Sequence, residues 1–150
     1  QVLAALSLMV ICSVPWLKLN LTPSAPRGVW SVHRVPALVE RGMWVTLPVP
    51  HAVQRHGPRW AQLLKPVAAV AGELVCVTEE MLWIRGHSYG RVYMQAQGQP
   101  VPHLGEGCFA VEAGRVFLAS EAANSMDSRY FNTVPVSGLT ARAIPLVTWR

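Results

Sequence analysis

Short apolar segments separated by glycine and proline are the feature that most limits how this 150-residue chain can fold. The segments are rich in Val, Ile, Leu, Trp and Tyr, which favour the pleated surface of a sheet. The glycines and prolines end each segment after a few residues, and beyond residue 17 only Pro58–Leu64 is predicted to be helical. The pattern predicts a mostly β domain built on a coiled antiparallel sheet. The predicted strands are Gly28–Val35, Met43–Val49, Glu73–Thr78, Met81–Arg85, Arg91–Met94, Arg115–Ala119 and Leu139–Pro145.

The N-terminal segment Val2–Leu17 carries no charge and predicts a membrane anchor. A bilayer span needs about 20 apolar residues, so we expect the anchor helix to begin before Gln1. The Pro-Trp-Leu-Lys sequence at 15–18 is a poor signal-peptide cleavage site and a good interfacial flank. We therefore predict a partial transmembrane anchor over residues 1–17 and one domain over residues 18–150. The alternative is a buried helix of a soluble protein.

Charge and motif content argue against several classes of function. The net charge is +5, but the basic residues stand singly and form no stripe for phosphates, so we expect no nucleic-acid partner. The sequence contains no Gly-rich phosphate loop or dinucleotide fingerprint, and we expect no cofactor. It also contains neither a Cys-x-x-Cys nor a His-x-x-x-His pair, so we expect no metal site.

The cysteines fall into two groups. Cys12 lies in the predicted anchor, whereas Cys76 and Cys108 lie in the predicted domain. Cys76 and Cys108 could pair, and in an oxidising compartment a disulfide that closes a loop of about 30 residues contributes about 3 to 4 kcal/mol. The alternative is that the two domain cysteines are separate small core residues.

Two prolines frame a turn that presents a serine. In the sequence Thr22-Pro23-Ser24-Ala25-Pro26-Arg27-Gly28, the prolines fix the backbone and remove competing N–H donors. The hydroxyl and N–H of Ser24 are then free to face outward, which suits a nucleophile. The alternative is an ordinary turn serine.

Lys65 lies in an unusually apolar neighbourhood, between Leu64 and the apolar segment Pro66–Ala71. Burial disfavours the charged form of an amine and lowers its pKa. A neutral lysine can take the proton of a serine hydroxyl during acyl transfer. The alternative is a lysine that extends its amine to water along an apolar strand.

The segment Asn124–Phe131 contains the single aspartate of the chain. In an extended segment, alternation would place Asp127 and Arg129 on one face, where they would pair. The hydroxyls of Ser125 and Ser128 could bond a lysine amine and aim it at the nucleophile, and we assign that role to Ser125. The histidines lie in uninformative contexts and the Gly-x-Ser-x-Gly elbow is absent, which disfavours a Ser-His-Asp triad.

As a set, three segments resemble the boxes of the type I signal peptidase family, and its conjugative-transfer, TraF-like branch most closely. They are Thr22–Trp30, Leu63–Val75 and Asn124–Phe131. Their order, their spacing and the preceding apolar segment agree with that family. By this resemblance, Ser24 is the nucleophile and Lys65 is the general base.

The resemblance also implies supporting residues. The Thr22 hydroxyl would help the N–H of the nucleophile hold the oxyanion. Ser125 and Asp127, with Arg129, would support the site.

The function implied is that of a membrane-anchored serine endopeptidase with a Ser-Lys dyad. Its domain would lie on the periplasmic or extracellular side of the cytoplasmic membrane, with the active site near the lipid surface. Its partner would be an exported precursor, first of all a conjugative pilin precursor. Cleavage would follow small residues, and the acyl-enzyme would be resolved by water or by the amino terminus of the pilin, which would give a cyclic product. Two alternatives stay open. One is a general type I signal peptidase, and the other is a non-catalytic, membrane-anchored β module of a secretion or conjugation channel.

Overall fold

Antiparallel strands dominate the protein, as the sequence predicts. A computed structural model describes residues 15–56 and 62–149. The predicted anchor lies outside the described residues up to residue 14, and Leu17 already begins the first strand. Within the described residues, no helix is long and apolar enough to span a membrane.

The described part of the chain contains strands, one short α-helix and two 3-10 helices. The 3-10 helices are His51–His56 and Val136–Gly138, and the helix α1 is Ser128–Phe131. The strands are β1 (Leu17–Asn20), β2 (Arg27–His33), β3 (Trp44–Pro48), β4 (Gln62–Val70), β5 (Leu74–Thr78), β6 (Met81–Ile84), β7 (His87–Arg91), β8 (Gln95–Ala96), β9 (Gln99–Pro100), β10 (Gly107–Ala110), β11 (Arg115–Leu118), β12 (Val134–Pro135) and β13 (Ala141–Trp149).

A seven-stranded sheet is the larger of the two main sheets and carries Lys65 on β4. Its order is β1-β2-β13-β3-β4-β11-β12, and every neighbouring pair is antiparallel. Strand β3 alternates in burial, with Val45 and Leu47 facing the core. A side chain at Gly28 would overlap the carbonyl of Val147, so glycine is needed where β13 crosses the start of β2.

A smaller sheet packs against this one and completes the core. Its order is β10-β5-β6-β7, and a separate hairpin joins β8 to β9. Buried residues of β3, β4, β11 and β12 form one cluster of the core. In another, the inward side chains of β5 and β6 meet those of β4 and β11 where the two sheets face each other. The fully buried residues of this core include Ala69, Val75, Leu82, Phe117 and Ala119.

The helix predicted over Pro58–Leu64 is wrong in the part that the structure describes. Gln62–Leu64 forms the start of β4, where Leu63 and Leu64 pair with Leu47 and Thr46 of β3. Pairing with the preceding strand β3 has overridden the local pattern, as is common for short apolar segments. The predicted strand Arg91–Met94 is also misplaced, because β7 ends at Arg91.

The two domain cysteines face each other across the small sheet. Cys108 of β10 is opposite Cys76 of β5, and the two sulfurs are bonded, closing a sequence separation of 32 residues. The disulfide therefore fastens the edge strand β10 to the sheet.

The double substitution Cys76→Ser and Cys108→Ser is expected to lower the free energy of unfolding by about 3 to 4 kcal/mol, because the unfolded chain regains the entropy of the open loop. Urea unfolding without reductant measures this loss. Cys12→Ser is the matched control and should leave the stability unchanged. Alkylation of both Cys76 and Cys108 in the unreduced, folded protein would contradict the pairing.

Candidate active site

The loop that carries Ser24 is folded around one side chain, Asn20. The Asn20 amide donates to the carbonyls of Thr22 (3.1 Å), Ala25 (3.2 Å) and Pro26 (3.1 Å). Its oxygen accepts from the backbone N–H and the hydroxyl of Thr22, at 3.2 and 2.7 Å. Sequence reasoning gave Asn20 no role, although an asparagine two residues before Thr22 is a recognisable turn signal.

Ser24 itself is partly exposed and lines an open cavity of about 680 Å³ together with Trp44 and Ser120. Its carbonyl accepts a hydrogen bond of 3.1 Å from the Ser120 hydroxyl. Ala25, the next residue, is buried beside Trp30. The loop is therefore held from both sides of Ser24, while Ser24 stays at the cavity wall.

Lys65 is buried on β4, with only 2% of the residue exposed. Its amine donates to the Ser125 hydroxyl at 2.9 Å. Burial lowers the pKa of Lys65 from 10.5 to about 8; the Asp127 carboxylate raises it and the Arg129 guanidinium lowers it. The alternative that Lys65 extends its amine to water is therefore wrong.

Asp127 and Arg129 form a buried ion pair, and both side chains are 0% exposed. Two hydrogen bonds join them, from Arg129 Nη2 to Asp127 Oδ2 at 2.6 Å and from Nε to Oδ1 at 2.9 Å. Burial alone would lower the pKa of the Arg129 guanidinium, but the hydrogen bond to Asp127 and the charge of Asp127 raise it above its usual value.

The pairing does not arise from an extended segment, and that part of the prediction is wrong. Asp127 caps the N-terminus of α1 by accepting from the Arg129 N–H at 3.1 Å. The first turn of α1 then brings the guanidinium back over the carboxylate. Ser128 serves a different purpose from Ser125, because its hydroxyl accepts from the Leu118 N–H at 2.9 Å and attaches α1 to β11.

Ser120 is a member of this site that sequence reasoning missed. Its N–H donates to Asp127 Oδ2 at 3.1 Å, and its carbonyl accepts from Arg129 Nη2 at 2.7 Å. Its hydroxyl reaches Ser24, which is 96 residues away in the sequence. No local signal marks such a long-range contact.

The structure brings Lys65, Ser125, Asp127 and Arg129 into one buried network, and Ser24 joins it through Ser120. Between the two residues of the expected dyad, Ser24 and Lys65, the described residues show no hydrogen bond; the Lys65 amine donates to Ser125.

Two groups of predicted residues lie apart from this network. The Thr22 hydroxyl donates to Asn20 and not toward Ser24. Cys76 and Cys108 lie in the small sheet. Among residues 15–56 and 62–149, no group of three or more His, Cys, Asp or Glu residues is placed to hold a metal ion.

Comparison with known proteins identifies the class of protein to which this chain belongs. Residues 1–149 match the family described as signal peptidase, peptidase S26, and the chain belongs to that family. A conjugal transfer protein TraF of Agrobacterium fabrum (strain C58) is 33% identical over 148 residues, covering 88% of this chain and 82% of that protein. A probable conjugal transfer protein TraF of Sinorhizobium fredii (strain NGR234) is 30% identical over 148 residues, with 88% and 77% covered. The resemblance drawn from the three sequence segments is confirmed.

Among solved structures, the chain is similar to a signal peptidase I from Enterococcus faecalis V583, with 19% identity and a TM-score of 0.43. The similarity covers 70% of this chain and 96% of that one.

Lys65→Met is expected to raise the free energy of unfolding at pH 7 by about 1 to 3 kcal/mol, because it removes a charge whose burial is unfavourable. Between pH 8 and 10.5 the unfolded wild-type chain holds a proton at Lys65 that the folded protein has lost. Wild-type stability therefore rises with pH over that range relative to the variant, and the difference shrinks.

Urea unfolding of both proteins at pH 7 and pH 10 measures this change. Lys18→Met, at the exposed residue of β1, controls for the loss of one positive charge. A wild-type-to-variant difference that stays constant between the two pH values would show that the amine is not perturbed.

Proposed function

We propose that this protein is a serine endopeptidase in which Ser24 is the nucleophile and Lys65 is the general base. The observation that carries the proposal is the buried Lys65 amine, whose pKa is lowered to about 8 and whose position is fixed by Ser125. An ordinary lysine is almost fully protonated near neutral pH and is a poor base. A lysine with a pKa near 8 has a useful neutral fraction under the same conditions.

The hydrogen bond to Ser125 is compatible with base catalysis. A neutral amine can donate one N–H to Ser125 and keep its lone pair for the proton of the Ser24 hydroxyl. We propose that this second contact forms in the reactive complex, since catalytic hydrogen bonds often tighten only when substrate is bound. Lys65 would then pass the proton to the amine that leaves.

The negative charge of the tetrahedral intermediate needs hydrogen-bond donors. We assign the first donor to the Ser24 N–H and the second to the Thr22 hydroxyl, as the family resemblance implies. Because that hydroxyl donates to Asn20 in the structure, it would have to rotate toward the oxyanion. Thr22 would therefore act as an oxyanion donor only after its side chain has rotated away from Asn20.

The substrate we propose is an exported precursor that binds beside β1 as an added strand. Strand β1 stands at the edge of the large sheet, which leaves a row of backbone groups for such a strand. A cavity of about 480 Å³ lies between β1 and β4, with Leu19, Trp30 and Leu64 among its walls. We propose that it receives apolar and small side chains that precede the scissile bond.

A conjugative pilin precursor is the substrate favoured here, because the two relatives above are named conjugal transfer proteins. A membrane anchor at the N-terminus would hold the domain at the outer surface of the cytoplasmic membrane, in contact with lipid. The acyl-enzyme on Ser24 would be resolved by water or by the amino terminus of the precursor, which would give a linear or a cyclic product. A general signal peptidase would instead process many secreted proteins.

Ser24→Ala and Lys65→Ala are each expected to reduce processing of a co-expressed conjugative pilin precursor by about a thousandfold or more, because either change removes the nucleophile or its base. Mass spectrometry of the precursor measures this loss, and a cyclic product is lighter than the linear one by one water. Ser137→Ala, an exposed serine far from Ser24 in the sequence, is the matched control.

Each result of this experiment points to one reading of the chain. Processing that persists in both variants would refute the dyad and favour a non-catalytic module. Equal, Ser24-dependent processing of unrelated secreted precursors would favour a general signal peptidase.

The rate of cleavage should also follow the protonation of Lys65. Because the neutral amine is the active form, kcat/KM is expected to rise about tenfold per pH unit below pH 8 and to level off above it. Initial rates on the same purified precursor between pH 6 and 10 measure the profile. A flat profile across pH 7 to 9 would be inconsistent with Lys65 as the base.

A further inference from the structure

One hydroxyl links the nucleophile loop to the buried ion pair. Within the described residues, Ser120 makes the hydrogen bond that connects Ser24 to the segment containing Asp127 and Arg129. The other side-chain hydrogen bonds described for the loop carbonyls come from two residues. The Asn20 amide donates to the carbonyls of Thr22, Ala25 and Pro26, and the Trp30 indole N–H donates to that of Pro26.

Ser120 is held rigidly enough to act as an anchor. Its backbone N–H and carbonyl are both bonded, to Asp127 Oδ2 and Arg129 Nη2. Its hydroxyl accepts from the Ala122 N–H at 3.1 Å, so the hydroxyl proton is left to donate to the Ser24 carbonyl. These three bonds hold Ser120 in place, and only 9% of the residue is exposed. The hydroxyl proton therefore points toward the Ser24 carbonyl.

A bond to the Ser24 carbonyl acts on the Ser24 hydroxyl through the backbone. A hydrogen bond to the carbonyl oxygen restrains rotation about the Cα–C bond of Ser24, and with it the direction of the Cα–Cβ bond that carries the hydroxyl. Misplacement of a reacting atom by about 1 Å can cost about a hundredfold in rate. A clamp of this kind therefore matters to a nucleophile on a loop more than to one on a helix or strand.

We infer that Ser120 is a positioning residue, which orients the Ser24 hydroxyl by clamping the Ser24 carbonyl to the Asp127–Arg129 ion pair. The inference rests on the proposed function, since it assigns Ser24 the role of nucleophile. Ser120 itself takes no proton from the substrate and forms no bond with it.

The same ion pair supports the base by a separate route. Ser125 lies two residues before Asp127 and accepts from the Lys65 amine. Removing the Ser120 hydroxyl should disturb the nucleophile and leave the Lys65–Ser125 contact intact. A Ser120 variant should therefore lose rate while the pH dependence of the rate stays the same. Neither general destabilisation nor loss of the base would produce that combination.

Ser120→Ala is expected to lower kcat by about 10- to 100-fold on the purified pilin precursor, with KM changed less than about twofold. The midpoint of the pH profile should stay at its wild-type value, because Lys65 is unaffected. Ser120→Thr keeps a hydroxyl and should recover most of the lost rate. Rates are expressed per folded molecule, measured by near-ultraviolet circular dichroism.

Ser31→Ala is the matched control. Ser31 is 6% exposed, and its hydroxyl donates to the Ile144 carbonyl at 3.4 Å, so it is also a buried serine that bonds a distant backbone carbonyl. Its loss should lower the melting temperature without lowering kcat per folded molecule. If Ser120→Ala does not fold, Ser120→Cys replaces it, because a thiol keeps the size but is a weak donor.

Three outcomes would overturn the inference. An unchanged kcat in Ser120→Ala shows that the clamp is dispensable, while Ser24-dependent cleavage by the wild type leaves the proposed function standing. A raised KM with unchanged kcat makes Ser120 a substrate contact. Absence of Ser24-dependent cleavage by the wild type removes the proposed function itself, and the positioning role with it.

Discussion

The buried ion pair of Asp127 and Arg129 is the interaction on which the site depends. Taking two charges out of water costs several kcal/mol per ion and is tolerated only when the remaining polar atoms find partners. Here Arg129 also donates to the carbonyls of Tyr89 and Ser120, and no buried side-chain nitrogen or oxygen in the described residues lacks a hydrogen bond. The pair therefore joins α1 to the small sheet and to the Ser24 loop at once.

The electrostatics of Lys65 follow from this arrangement. The carboxylate of Asp127 raises the pKa of the amine and the guanidinium of Arg129 lowers it, so the two charges oppose each other at Lys65. Burial is the largest cause of the shift and decides its direction. A carboxylate without its arginine would favour the charged lysine and lower the fraction of neutral amine near neutral pH. The ion pair thus holds Ser120 in place through hydrogen bonds, while its two charges largely cancel at Lys65.

Local chemistry made some of these features predictable and left others out of reach. Apolar residues between glycines and prolines were enough to predict β3 and β5, because such segments favour a sheet wherever they pair. They failed at β4, which is held by pairing with the preceding strand β3 and with β11, which is distant in the sequence. In the site, Ser24 and Lys65 stand out through their immediate neighbours. Ser120 has no such signal, because its role comes from contacts across the fold.

The balance of stability in the domain follows from the same burial. A lysine whose pKa falls from 10.5 to about 8 destabilises the folded protein by about 3 kcal/mol at neutral pH. A disulfide that closes a loop of 32 residues contributes a similar amount in the opposite direction, about 3 to 4 kcal/mol. The disulfide lies on β5 and β10, whereas Lys65 lies on β4 of the other sheet. The disulfide restricts the unfolded chain, so it can offset the cost of the buried amine without a direct contact with Lys65.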